Sequence, residues 1–346
     1  MVYEITKDRF DYAFRIRLEL NGGTCETDGI DAVVGEEIGE LPMAVKGQMV
    51  CTGWYYDSSF TVKAKATDKA DMSRATLYPM FVKMTNYTQF TFTTTSAGQE
   101  AGIYAATKKA GADSIIVDWG DGTVEVFSDS IRQARHAYAS AGKYYVKVSD
   151  SACEIAPSSE DSSWSSNGSI SYRLTAVNAW STSVTKIPES AFRNTSITSF
   201  SVPATVTEMG AHPLIGCTKL LYITVDAGNQ VFDSRNKCNA IIRTVDDYLV
   251  SGCQKTVIPN TVKTIGRGSF RQIPNLGDFA IPEGVETIEP TAFSDSGVTR
   301  VTLPSSVTRI GANSGANDSV FSGSTLTGAT IRCSGAEWGV YVFLDC

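Results

Sequence analysis

Apolar positions along the chain follow three different rhythms. Near the start, Phe14-Arg15-Ile16-Arg17-Leu18-Glu19-Leu20 alternates apolar and polar residues, the period-two mark of a half-buried strand. Asn21-Gly22-Gly23 then predicts a tight turn, because Asn and Gly enter positive φ at little cost. In the second stretch Phe90 and Phe92 alternate with threonines, and Ser114 to Trp119 reads as a core strand. Gly120-Asp121-Gly122 predicts a turn and Tyr144 to Val148 a closing strand.

From Ile170 the rhythm becomes a repeat. Val184 and Ile187 align with Val206 and Met209, Val262 and Ile265, Val285 and Ile288, and Val307 and Ile310. Successive starts lie 22, 56, 23 and 22 residues apart. Five residues beyond the second apolar position stands a large apolar one (Phe192, Leu214, Phe270, Phe293), whereas Phe321 arrives after an insertion rich in Asn and Gly. A proline behind an apolar residue opens most units: Pro203, Pro259, Pro282 and Pro304. A period near 22 residues with one short strand per unit predicts a leucine-rich-repeat solenoid, in which only stacking buries the inward Val, Ile and Phe. Proline ends each strand because it cannot donate to the ladder.

At 346 residues the chain exceeds one ordinary domain, and 42% hydrophobic residues are enough for packed cores. The formal charge of −7 lies entirely in residues 1–169, while residues 170–346 are balanced. Neither half offers the basic face that phosphate backbones require, so a nucleic-acid partner is not expected. No apolar stretch reaches the roughly 20 residues that span a bilayer, which predicts no membrane insertion. The opening MVYEITKDRF lacks a basic segment followed by an apolar one, so no signal peptide is expected. Eight scattered cysteines without a Cys-x-x-Cys pair read as buried small hydrophobes, not as a zinc ribbon or redox site.

Four anchors of the first segment resemble, in order and spacing, the internalin-B-type repeat. They are the strand from Phe14, Glu40-Leu41-Pro42, Gly53-Trp54-Tyr55 and Thr76-Leu77-Tyr78. That resemblance implies a small β-grasp-like module over residues 1–83, of a kind found on bacterial surface proteins and some virion proteins. Trp54, Tyr55 and Tyr56 then close its core and do not form a sugar-stacking platform. Val117-Asp118-Trp119-Gly120-Asp121-Gly122-Thr123, His136-Ala137-Tyr138 and Gly142-Lys143-Tyr144 resemble the PKD-type immunoglobulin-like sandwich, implying such a module over residues 84–150. There Trp119 fills the core, and two carboxylates, Asp118 and Asp121, are too few oxygens for calcium. Serine-rich residues 151–169 read as a linker. Residues 170–346 resemble BspA-like leucine-rich repeats of gut and oral bacterial surface proteins, the long interval from Val225 to Cys253 matching that family's longer unit. The expected whole is therefore a mainly β, multidomain chain.

Catalysis is not expected. The two histidines, His136 and His212, lie near no nucleophile elbow, and Glu286 and Glu289 fall on a turn side where solvation is their expected role. No cofactor or metal is implied. A binding surface would instead come from outward strand positions: Ser199, Ser201, Tyr222, Thr224, Asp278, Ala280, Arg300, Thr302, Gly328 and Thr330. Of these, Tyr222 and Arg300 are the residue types that anchor interfaces. Tyr222, Thr224, Asp278, Arg300 and Thr302 are the candidate site. The resemblances imply a non-catalytic recognition or structural protein outside the cell. The expected form is a phage virion appendage touching the host surface or other virion proteins, as a homo-oligomer with rotational symmetry. The alternative is a bacterial cell-surface adhesin for host protein or glycan.

Overall fold

A computed structural model describes residues 4–6, 9–46, 49–158, 170–312 and 319–346. Most of the serine-rich stretch (159–169) and most of the insertion before Phe321 (313–318) lie outside the described residues. The chain is mainly β. Among the described residues the helical segments are single turns, Met72–Arg74, Ile170–Arg173 and Arg235–Lys237, and no helix is long and apolar enough to cross a membrane. Two compact units emerge, one built chiefly from residues 1–86 and the other from most of residues 87–346.

In the first unit Ala13–Leu18 pairs antiparallel with Gly29–Val33 and parallel with Thr76–Val82, which in turn pairs antiparallel with Val50–Tyr55. The alternation read from the sequence is realised: Ile16 and Leu18 are buried while Arg15 and Arg17 are exposed. Asn21 and Gly22 both adopt positive φ, and the Gly23 amide donates to the Leu20 carbonyl. Trp54 is buried with Ile16, Leu18 and Leu77, and its indole N–H donates to the Pro42 carbonyl at 2.6 Å. That bond explains why the Glu40-Leu41-Pro42 and Gly53-Trp54-Tyr55 anchors occur together: a buried indole needs an acceptor.

In the second unit Tyr87–Thr94 lies between Gly142–Ser149 and Leu174–Ala179, antiparallel to both, with Phe90 and Phe92 fully buried. Glu100–Ile103 pairs with Ala134–Ala137, and Ala105–Lys108 with Ala152–Ala156. Ala152–Ala156 corrects the linker reading at its start. Ala152, Ile155 and Ala156 are buried, so these residues form a strand, and serine-rich composition misled only where small apolar residues interrupt it. Glu154 of that strand also pairs, in parallel, with Lys186 of the first repeat.

The repeats build two sets of parallel strands, one on each side of a coil's turn. One set comprises Ser199–Val202 beside Tyr222–Val225, and Gly277–Ala280 beside Val298–Leu303 and Gly328–Ile331. The other comprises Lys186–Ile187 beside Glu208–Met209, and then Tyr248–Gly252, Thr264–Ile265, Thr287–Ile288, Arg309–Ile310 and Glu337–Trp338. Within the 56-residue interval, Phe232–Asp233, Ala240–Arg243 and Tyr248–Gly252 form an antiparallel meander whose last strand takes a coil's place beside Thr264–Ile265. The Pro203, Pro259, Pro282 and Pro304 carbonyls accept from Val206, Val262, Val285 and Val307, closing the turn between the two strands of each coil.

Nearly every aliphatic repeat position is buried as the spacing requires; only Met209 stays half-exposed. The phenyl rings form a ladder. Phe270 and Phe293 stack at 5.0 Å, Phe293 and Phe321 at 5.2 Å, and Phe321 and Phe343 at 5.4 Å. Successive coils bend back through residues with positive φ at two fixed places. The first column holds Ser190, His212, Gly268 and Thr291; the second holds Asn194, Gly216, Gln272, Asp295 and Gly323.

Candidate functional site

The candidate residues sit where parallel pairing carries alternate side chains outward. Asp278, Arg300 and Gly328 are register partners across three strands, and Ala280, Thr302 and Thr330 form the next row. Between those rows Phe279 and Val301 point inward and are buried. The two outward rows enclose a shallow groove of about 310 Å³. Asp278 accepts from the Thr299 hydroxyl at 3.1 Å, which orients its carboxylate on the rim. Arg300 is exposed and Thr302 half-buried. The groove therefore offers one cation, one anion and hydroxyls around a small apolar floor, a set suited to hydrogen-bonded recognition.

Tyr222 and Thr224 do not join that groove. They lie on the separate pair Ser199–Val202 and Tyr222–Val225, opposite Ser199 and Ser201, and Tyr222 is 52% exposed. The meander in the long interval ends this pair before the three-stranded ladder begins, so five candidate residues fall on two surfaces. The sequence positions alone could not show the break, because outward positions keep the same spacing on both sides of it.

The residues set aside as structural are packed as such. His136 stacks on Trp119 at 5.3 Å, meets Tyr138 edge-on at 4.9 Å, and holds Asp121 through its Nε2 at 2.7 Å. Asp121 is thereby engaged by the imidazole. No group of three or more His, Cys, Asp or Glu side chains suited to a metal occurs among the described residues. Glu286 is exposed and accepts from Lys263 at 2.6 Å. Glu289 departs from its expected solvated role: it is half-buried and accepts from the Tyr248 hydroxyl at 2.7 Å and the Arg267 amide at 2.9 Å. Burial and that carboxylate together push the Tyr248 hydroxyl up to about 12. Glu289 borders a second groove, on the other set of strands, built from residues that sequence reasoning passed over. Its sequence signal is Gly311 and Gly339, at one place in successive coils.

Residues 169–239 and 237–346 match the family described as the BspA type leucine rich repeat region, in six copies, and this is just over half of the chain. The chain belongs to the BspA-type leucine-rich repeat family. This BspA-type chain is also similar to solved repeat proteins. One is a leucine-rich repeat protein from Eubacterium ventriosum, at 24% identity over 47% of this chain and 50% of that one, with a TM-score of 0.37. A second is a leucine rich cell surface protein from Faecalibacterium prausnitzii, at 21% identity over 46% and 54%, with a TM-score of 0.29. A third is the pneumococcal vaccine antigen PcpA, at 19% identity over 47% and 50%, with a TM-score of 0.34. The chain thus spans about half the length of these structures. No curated protein matches it. The repeat fold of this BspA-type chain suits a non-catalytic binding or structural role.

Proposed function

We propose that this BspA-type chain is a non-catalytic recognition protein acting outside the cell, with the groove of Asp278, Arg300 and Thr302 as its contact surface. The observation that carries the reading is the register of three strands, which gathers a cation, an anion and hydroxyls into one shallow, open surface. Tyr222 and Thr224 supply a second, smaller contact on the preceding strand pair. The partner is a protein or glycan on a cell surface. We read residues 1–83 as an internalin-B-type module and residues 84–150 as a PKD-like one. The buried Trp54 and Trp119 support this, each holding a core in the manner those resemblances imply.

A phage virion appendage is the first form of this proposal. It draws support from the uneven charge, which gives an acidic portion for docking to virion proteins and an uncharged-on-balance repeat half for the host. A bacterial surface adhesin is the second form, and the BspA-type family membership favours it. Labelled protein is to be titrated onto gut bacterial cells and onto epithelial cells. Saturable binding is expected, with Arg300→Ala weakening it at least tenfold. Binding to bacteria points to the virion form and binding to epithelium to the adhesin. No binding to either at high micromolar protein would leave only a structural role. Unchanged binding by Arg300→Ala and Tyr222→Ala alike would remove both surfaces from the proposal.

A further inference from the structure

The second groove lies on the strands Thr264–Ile265, Thr287–Ile288, Arg309–Ile310 and Glu337–Trp338, which run parallel and in register. The residue after each strand is Gly266, Glu289, Gly311 and Gly339 in turn, so three of the four have no side chain. The amides of Glu289, Gly311 and Gly339 donate to the carbonyls of Ile265, Ile288 and Ile310 in the preceding coil. The floor is therefore backbone already bonded from coil to coil. A Cβ on Gly339 would stand 2.5 Å from the Ala312 backbone N and O, and one on Gly266 2.4 Å from the Tyr248 ring. Close packing thus dictates glycine at both places; Gly339, with Gly311, lines the groove, whereas Gly266 lies buried under the Tyr248 ring beside it.

Around the floor stand Arg267, Glu289, Arg309, Glu337 and Trp338, enclosing about 370 Å³. Arg309 and Glu337 are register partners on adjacent strands, both exposed, and the Trp338 indole beside them is 38% exposed. The Tyr248 hydroxyl and the Arg267 amide fix the Glu289 carboxylate at the rim. Two guanidinium groups and two carboxylates balance, so a strongly charged ligand would meet as much repulsion as attraction. A ligand with adjacent hydroxyls suits both kinds of group: each hydroxyl can donate to a carboxylate and accept from a guanidinium fork. A flat indole covers the C–H face of such a ring. The volume lies near the small end of ligand sites, which run from roughly 300 to 1,000 Å³. An extended peptide fits less well, because the Glu289, Gly311 and Gly339 amides on this floor are already bonded to the preceding coil.

We propose that this groove binds a neutral saccharide of one or two rings. The proposal does not rest on the Arg300 surface and can stand or fall without it. The test is saturation-transfer NMR on the full chain. The probes are the methyl glycosides of glucose, galactose, mannose and N-acetylglucosamine, with glucuronate as the charged comparison. Transfer to the C–H protons of at least one neutral glycoside is expected. Trp338→Ala and Arg309→Ala should each weaken its Kd at least tenfold, and Arg300→Ala should leave it unchanged. Transfer from no neutral glycoside, stronger transfer from glucuronate, or survival of binding in Arg309→Ala overturns the proposal. So does its loss in Arg300→Ala, which would move the saccharide to the other groove. If circular dichroism shows that Trp338→Ala disturbs the fold, the exposed Arg309 decides.

Discussion

Replacing Phe293 by alanine is the most direct test of how the coils hold together. The ring is fully buried, stacks near-parallel on Phe270 at 5.0 Å and on Phe321 at 5.2 Å, and meets Phe279 edge-on at 5.4 Å. Phe→Ala in a core costs about 3–5 kcal/mol, the spread reflecting how far the site collapses. Collapse is hindered here because the neighbouring backbone is tied from coil to coil. The Phe270 amide donates to Ala292, and the Phe293 amide to Val320. The upper half of the range is therefore expected, about 4–5 kcal/mol. At roughly 2–4 °C per kcal/mol for a large unit, thermal unfolding should fall by about 10 °C or more. Calorimetry on wild type and variant gives the shift. Hydrogen exchange should show faster opening of Gly277–Ala280 and Val298–Leu303 on either side, because each coil is stabilised by its neighbours. A loss below about 1 kcal/mol, or faster exchange spread evenly over the chain, would refute stacking as the main source of stability.

Three further outcomes are expected. The folded chain holds Tyr248 protonated up to about 12, whereas an unfolded tyrosine ionises near about 10. Its contribution should be complete below that lower value and vanish as pH rises toward 12, so Tyr248→Phe should flatten alkaline destabilisation in that window, read by denaturant titration at each pH. Thr291 is β-branched at φ 58°, and its buried hydroxyl has no hydrogen-bond partner among the described residues. Thr291→Gly should raise stability by about 1 kcal/mol in thermal unfolding, and a loss would show that the methyl group packs usefully. Burial lifts the Cys217 thiol to about 11, and its S–H donates to the Phe192 carbonyl at 3.0 Å. Iodoacetamide followed by peptide mass mapping should label exposed Cys346 in the native state and reach Cys217 only on unfolding.

The repeat half was legible because its constraint is periodic. A coil that must bury Val262, Ile265 and Phe270 against the next coil's Val285, Ile288 and Phe293 repeats the same residues at the same spacing. Composition is weaker guidance where a strand is short and small-sided. Ala152–Ala156 pairs through its backbone and buries a single large side chain, Ile155, so serine-rich surroundings concealed it. The outward positions were legible one by one, but their grouping was not. Whether Tyr222 and Arg300 share a surface depends on the meander of the long interval, and spacing carries no trace of where a ladder stops. Glu289 was misplaced for a related reason: its partner Tyr248 comes from that same meander, 41 residues earlier in the chain. The second groove has a sequence mark in its glycine column, but glycine in a turn usually signals a bend, and only packing distinguishes a bend from a floor.

The two positive-φ columns have a consequence for how such chains change length. Ser, His, Gly and Thr occupy the first column, and Asn, Gly, Gln and Asp the second, so the bends belong to the turn itself and not to any side chain. A segment spanning one full circuit carries both bends and both strand edges with it, and its removal or duplication rejoins like to like. A segment of any other size has to fall between a strand and a bend if Phe321 and Gly323 are still to meet Phe293 and Asp295, as they do after the insertion. Growth and shortening by whole circuits is thus the indel path that keeps every strand and bend in register, and the insertion before Phe321 and the meander of the long interval depart from it.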